Sequence, residues 1–194
     1  MTLLLTLLSC IEDRPPPFVG DCAAYPQGVY DFGEIGIGSC LAGPLSLHWS
    51  EDGGLLSVVN ANPFLDFTGG SVATIDVAVA LGRAPSDPDR RVVIDDQVVL
   101  GSLGLTHFPS YGELVPDRDL LLVPSRYTEG GRTRIGLDDL WFVDLSDPAN
   151  PAFANIGPNG EPRLELLHDP ALAAYDANSG LAYVENLTDH SLSV

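Results

Sequence analysis

The chain has 194 residues, 27 of them acidic and 9 basic, and a formal net charge of -18. Such a surface repels phosphate backbones, which speaks against nucleic acid as a partner, and no run of Lys or Arg offers a dock for anionic lipid. Hydrophobic residues make up 45%, so the composition is that of a globular chain; the 20 Gly and 16 Pro are spread along it, as turns between many short strands require.

The chain opens on a short apolar run, Leu3 to Leu8, ending in Leu7-Leu8-Ser9-Cys10. This resembles a bacterial lipobox: a leucine three positions before the cysteine, a small residue directly before it, then a cysteine that is lipidated and becomes the new N-terminus. The segment departs from a full signal peptide in having no Lys or Arg before Cys10, and its alternative reading is a buried first strand. The resemblance implies a signal peptide over 1–10, lipid on Cys10, and a tether over 11–27. It implies a place in the bacterial cell envelope, at the outer membrane, on its periplasmic face or at the cell surface, with the membrane reached through the N-terminal lipid. Pro15-Pro16-Pro17 cannot continue a helix and stiffens the tether. With Cys10 so used, Cys22 and Cys40 remain as an even pair. An oxidising compartment lets them form a disulfide, which over a loop of that size is worth about 3 kcal/mol. The alternative is two buried thiols.

Three windows then align without a gap: Ala42 to Asn60, His107 to Ser125 and His168 to Asn186. In register they share a proline (Pro44, Pro109, Pro170), a polar turn residue (Asp52, Asp117, Asn178), a leucine (Leu55, Leu120, Leu181), a valine (Val58, Val123, Val184) and a closing polar residue (Asn60, Ser125, Asn186). Each window reads as a β-hairpin, because Asp, Asn and Gly tolerate the backbone of a tight reversal. A third strand is expected after each, at Ser71 to Val77, Asp139 to Leu145 and Ser191 to Val194. A fourth follows the first two copies, at Arg91 to Leu100 and Arg163 to Leu167. Val, Ile, Leu and aromatics dominate these runs, and none keeps a helical period. Gly28 to Gly38 is expected as an outer strand of a preceding, incomplete unit.

Four antiparallel strands recurring as a unit describe a propeller blade. The expected fold class is therefore all-β, a partial β-propeller built of four-stranded antiparallel blades, with about three incomplete blades over 28–194. Propellers close with about four to eight blades. The chain is thus expected to be the N-terminal piece of a longer protein or a truncated product, or else to close by self-association.

Asp139 to Pro151, DLWFVDLSDPANP, resembles the LVIVD-type propeller repeat, in which an apolar strand ends in Val-Asp and enters a Ser-Asp-Pro-x-x-Pro turn. Gly180 to Val194, GLAYVENLTDHSLSV, is similar to the YVTN-type repeat of surface-layer (YncE-like) propellers, with Glu185 in place of the usual Thr. The resemblance implies a propeller serving as a binding or scaffold module, and no particular activity.

His107 and His168 occupy the same repeat position and are candidate metal ligands near a propeller axis, the arrangement a metal-dependent hydrolase or lyase would need. The alternative is a turn histidine before the first strand, and the first copy carries Ala42 there. His48 lies beside Trp49 and reads as packed or edge-exposed. Asp76 and Asp144 end strands and read as caps of backbone amides. Asp95-Asp96, Asp117 with Asp119, and Asp138-Asp139 are candidates for calcium or another divalent cation, although none fits an EF-hand. Asn186-Leu187-Thr188 matches a glycosylation sequon. No serine-hydrolase elbow, zinc-protease or P-loop motif is present, and no catalytic residue is nominated. The expected function is a binding or scaffold module for an extracellular protein or glycan; the alternatives are the metal enzyme and a purely structural envelope protein.

Overall fold

The computed structural model describes residues 41, 43–61, 70–83, 98–105, 107–127 and 138–194. Cys10, Cys22, Cys40, the segment Gly28 to Gly38 and the pair Asp95-Asp96 lie outside the described residues.

The described chain is mostly antiparallel β-sheet. Sheet 1 is a four-stranded meander in the order β1 (Pro44–Trp49), β2 (Leu55–Asn60), β3 (Ser71–Asp76), β4 (Val99–Gly104). A short helix, α1 (Val77–Arg83), follows β3. Sheet 2 repeats this plan with its two outer strands broken. β5 (His107–Pro109) and β6 (Glu113–Val115) both pair with β7 (Leu120–Tyr127). β7 pairs with β8 (Asp138–Asp144), which in turn pairs with both β9 (Ala152–Phe153) and β10 (Arg163–Leu166). Sheet 3 holds β11 (Pro170–Asp176), β12 (Leu181–Asn186) and β13 (Ser191–Ser193).

The three hairpins pair in one register. Pro44 faces Asn60, Pro109 faces Ser125 and Pro170 faces Asn186. One residue is then bulged out in each: Ser46 faces Val59, Glu113 faces Leu122 and Leu172 faces Glu185. The residue before the proline is left-handed in every copy: Gly43 at φ 66, Phe108 at φ 52 and Asp169 at φ 62. The next pairing is shared too, with Asn60 facing Ser71, Ser125 facing Asp139 and Asn186 facing Ser191.

Two expectations need correction. The fourth strand of sheet 1 runs over Val99–Gly104, later than Arg91 to Leu100, and residues 91–97 lie outside the described part. The third strand of sheet 1, expected over Ser71 to Val77, ends at Asp76, and Val77 opens α1, because the Asp76 carboxylate accepts the Val79 N–H at 2.9 Å and caps a helix there. Among the described residues no helix is long and apolar enough to cross a membrane.

The sheets stack face to face. Alternation along each strand sends successive side chains to opposite faces. Leu121 and Val123 of β7 and Trp141 and Val143 of β8 pack under Val59 and Val72 of sheet 1. Their neighbours Leu122, Leu140 and Phe142 pack against Ala173, Val184 and Tyr175 of sheet 3. Each sheet thus has a receiving face towards the sheet before it and a covering face towards the sheet after it. The first strands lie side by side. Tyr111 forms a parallel bridge with Leu172, its N–H donating to Ala171 O (3.1 Å) and its carbonyl accepting from Ala173 N (3.0 Å). The Gly112 N–H donates to Ser46 Oγ of β1 at 3.2 Å.

Candidate functional site: a cleft between sheets 1 and 2

The stacking leaves a cleft of about 760 Å³ between sheets 1 and 2. One wall carries a polar row across three strands, since His48 faces Ser57 and Ser57 faces Thr74. The other wall is Glu113, Leu114 and Val115 of β6. Trp49 and Asp117 stand among the remaining lining residues.

The cleft exists because of what the first copy puts in its row. Ser57 and Thr74 occupy the positions of Leu122 and Phe142 in sheet 2, to judge by the shared register. There the two large side chains fill the space beneath sheet 3 and belong to its core. In sheet 1 two small hydroxyl residues, 6% and 1% exposed, stand there instead and line the inner end of the cleft.

Burial lowers the His48 pKa, so the imidazole is neutral at physiological pH. Its Nε2 lies 3.1 Å from Ser46 Oγ, and the Ser46 hydroxyl also receives the Gly112 N–H. The pair joins β1 to sheet 2 while the ring stays within the cleft. The Glu113 carboxyl turns to the other side of sheet 2: Glu113 faces Leu122, which packs against sheet 3, and it accepts a backbone hydrogen bond from Tyr175 there, opposing the rise in pKa that burial causes. A neutral imidazole and two hydroxyls stand beside the apolar Leu114 and Leu145, a composition that suits a ligand with both apolar and hydrogen-bonding groups. The Thr74 hydroxyl also donates to the Pro148 carbonyl, which ties the turn after β8 over the cleft floor.

The histidines read from sequence have different settings. His168 sits before β11 and is engaged by Asp189 of the β12–β13 turn. Its N–H donates to Asp189 Oδ2 at 2.7 Å, and its Nδ1 lies 3.0 Å from the same oxygen. His107 begins β5, its backbone facing Tyr127; its side chain lies outside the described part. Among the described residues no group of three or more His, Cys, Asp or Glu is arranged to hold a metal ion.

The aspartate pairs serve the fold. Asp138 accepts the Asp169 N–H, and Asp139 is bonded to Arg163 at 2.8 Å. Asp117 and Asp119 take left-handed conformations in the β6–β7 turn, at φ 60 and 47, and both line the cleft. Asp144 accepts the Ser146 N–H at 2.9 Å, a cap like that of Asp76, and the Ser146 contacts hold its carboxyl below the usual range. Asn186 of the sequon is fully buried, its amide donating to Val184 O and Ser193 Oγ, so the folded chain does not present it to an enzyme.

Reading the sequence missed the cleft. Its signal was the polar pair Ser46 and His48 on one face of a strand, matched by Ser57 and Thr74 on the next two, where the other copies turn apolar. Fold and cleft define a class, a chain of stacked antiparallel sheets with an inter-sheet site. No family model, curated protein or solved structure matches the chain.

Proposed function

We propose that the chain is a cell-envelope lipoprotein whose sheets form part of a β-propeller, and that it works as a binding module. The seat is the cleft between sheets 1 and 2, and its ligand is an extracellular peptide segment or glycan. The observation that carries the reading is the replacement of core-filling Leu122 and Phe142 by Ser57 and Thr74 at matching positions. A purely structural stack gains nothing from a polar void, since unfilled volume between sheets forfeits dispersion contacts. The propeller reading is supported by the shared register, the face-to-face stacking and the parallel neighbourhood of the first strands.

Titration with soluble cell-wall glycan fragments and with peptides, followed by the emission of Trp49, tests the reading. Saturable binding is expected with at least one probe. Ser57→Leu, which restores the side chain of the second copy, is expected to weaken that binding at least tenfold while leaving the fold intact. Absence of saturable binding to either class, or binding indifferent to Ser57→Leu, counts against the cleft.

A further inference from the structure

The cleft between sheets 1 and 2 has two zones. At its inner end Leu55, Leu114 and Leu145 stand with Ser57 and Thr74. The Thr74 hydroxyl is taken by the carbonyls of Gly101 and Pro148. Ser57 differs. It lies between His48 and Thr74 on the face that looks into the cleft and is only 6% exposed. Its hydroxyl has no hydrogen-bond partner among the described residues. A buried hydroxyl left unbonded is costly, so it is a group for a ligand to engage.

The rim is acidic. Glu51 of the β1–β2 turn and Asp117 and Asp119 of the β6–β7 turn line it, and all three are exposed. Glu113 takes no part in the rim, since its carboxyl lies on the sheet 3 side. Among the described residues no Lys or Arg lines the cleft; Arg118, between the two aspartates in the turn, stands outside the lining. His48 is neutral and offsets none of this charge. Trp49 also lines the cleft and is 57% exposed, and the face of an indole attracts a cation.

We infer that the cleft takes a cationic peptide segment. A lysine or arginine of the peptide sets its charge among Glu51, Asp117 and Asp119, while an adjoining aliphatic residue enters beside the leucines and its peptide group bonds to Ser57. This rests on the binding reading and names its ligand. The acidic rim alone would be a solvated surface; the buried, unpartnered Ser57 hydroxyl behind it makes it a site. The leucines favour a peptide over a sugar, whose ring hydroxyls would lose their water there without gaining partners. The net charge of -18 draws a cation towards the cleft from a distance.

Two capped tripeptides test this: leucine–lysine–leucine, and its counterpart with norleucine for lysine, which keeps the aliphatic stem and removes the charge. Both are titrated into the full chain and followed by the emission of Trp49. The lysine peptide is expected to bind saturably and about tenfold or more tighter than the norleucine peptide, and to weaken as salt approaches 1 M, where the Debye length is about 3 Å. Asp117→Asn combined with Asp119→Asn removes two charges, and asparagine tolerates the left-handed backbone at φ 60 and 47. That double variant is expected to bring the lysine peptide level with the norleucine peptide. Ser57→Ala is expected to weaken both peptides several-fold. The chain contains no lysine of its own to compete, so a carbodiimide is expected to couple the bound peptide's amine to Glu51, Asp117 or Asp119. No saturable binding, indifference to salt, to the double variant or to Ser57→Ala, or coupling outside the rim each overturns the inference. A neutral glycan fragment or the norleucine peptide that binds as tightly as the lysine peptide, and is lost in Ser57→Leu, overturns the cationic ligand and leaves the cleft as a binding site.

Discussion

Asp139 is the residue whose chemistry most departs from its place in the pattern. Its register mates are Ser71 and Ser191, which answer Asn60 and Asn186 with a hydroxyl. The second copy puts a carboxyl there instead, 2% exposed, and burial pushes its pKa up to about 6 although Arg163 lies at 2.8 Å and works the other way. A raised carboxyl favours the folded state while it is protonated. Its contribution is complete below the ordinary aspartate value of 3.8 and is lost as pH rises through about 6. Two units of difference correspond to about 3 kcal/mol at most. Asp139→Ser, the residue of the other copies, removes that dependence and frees Arg163, whose side chain is 40% exposed and can return to water. Relative to the parent chain, the variant is expected to gain stability between pH 4 and pH 7 in urea titrations. A difference that stays flat across that window would mean the carboxyl is solvated in the folded chain.

At the scale of elements, strand β4 shows how a glycine can be required inside a sheet. A Cβ on Gly101 would run into the carbonyl of Ala149 and the ring of Pro151, so the turn after β8 packs directly on the bare backbone of sheet 1. Gly104, three residues on, has nothing within 4 Å of the same position. Gly101→Ala is therefore expected to cost about 2 kcal/mol, in the range of overpacked cores. Gly104→Ala is expected to be neutral or to gain about 0.5 kcal/mol from the lower entropy of the unfolded chain. Equal effects in a denaturant titration would contradict the close approach. The same strand explains what was hard to read: the expected strand stops at Leu100, before the two glycines Gly101 and Gly104, whereas the role of Gly101 is set by Ala149 far along the chain. The hairpins were legible because each shared position has a local task. Pro44, Pro109 and Pro170 go with the left-handed residue before them, and Asn60 and Asn186 bond across to β3 and β13. Helix α1 escaped notice because Val77 to Leu81 has the composition of a strand and only the Asp76 cap turns it. The cleft was hidden for a different reason: Ser57 and Thr74 acquire meaning only when sheet 1 is laid over sheet 2 and the missing Leu and Phe become visible.

For the molecule as a whole, charge decides how it can be held at a membrane. A fold carrying -18 is repelled by an anionic leaflet and has no basic run to offset that. Of the described residues, no helix can span the bilayer. In the proposed setting attachment is through covalent lipid, and one acyl chain alone binds only marginally and reversibly, so stable anchoring calls for more than one. Cys10, followed by Glu12, Asp13 and three prolines, is the residue placed for it. An extended proline-rich tether rises by about 3.1 Å per residue, which separates the acidic fold from the headgroups by more than the Debye length of about 8 Å within a few residues. Cells expressing the chain and fed a palmitate analogue are expected to label it, and to recover it with the membrane fraction. Cys10→Ala should lose the label and move the protein to the soluble fraction with its fold unchanged. Label retained in the variant would place the lipid elsewhere or make the label adventitious, and an unlabelled parent chain would leave the opening apolar run as a strand.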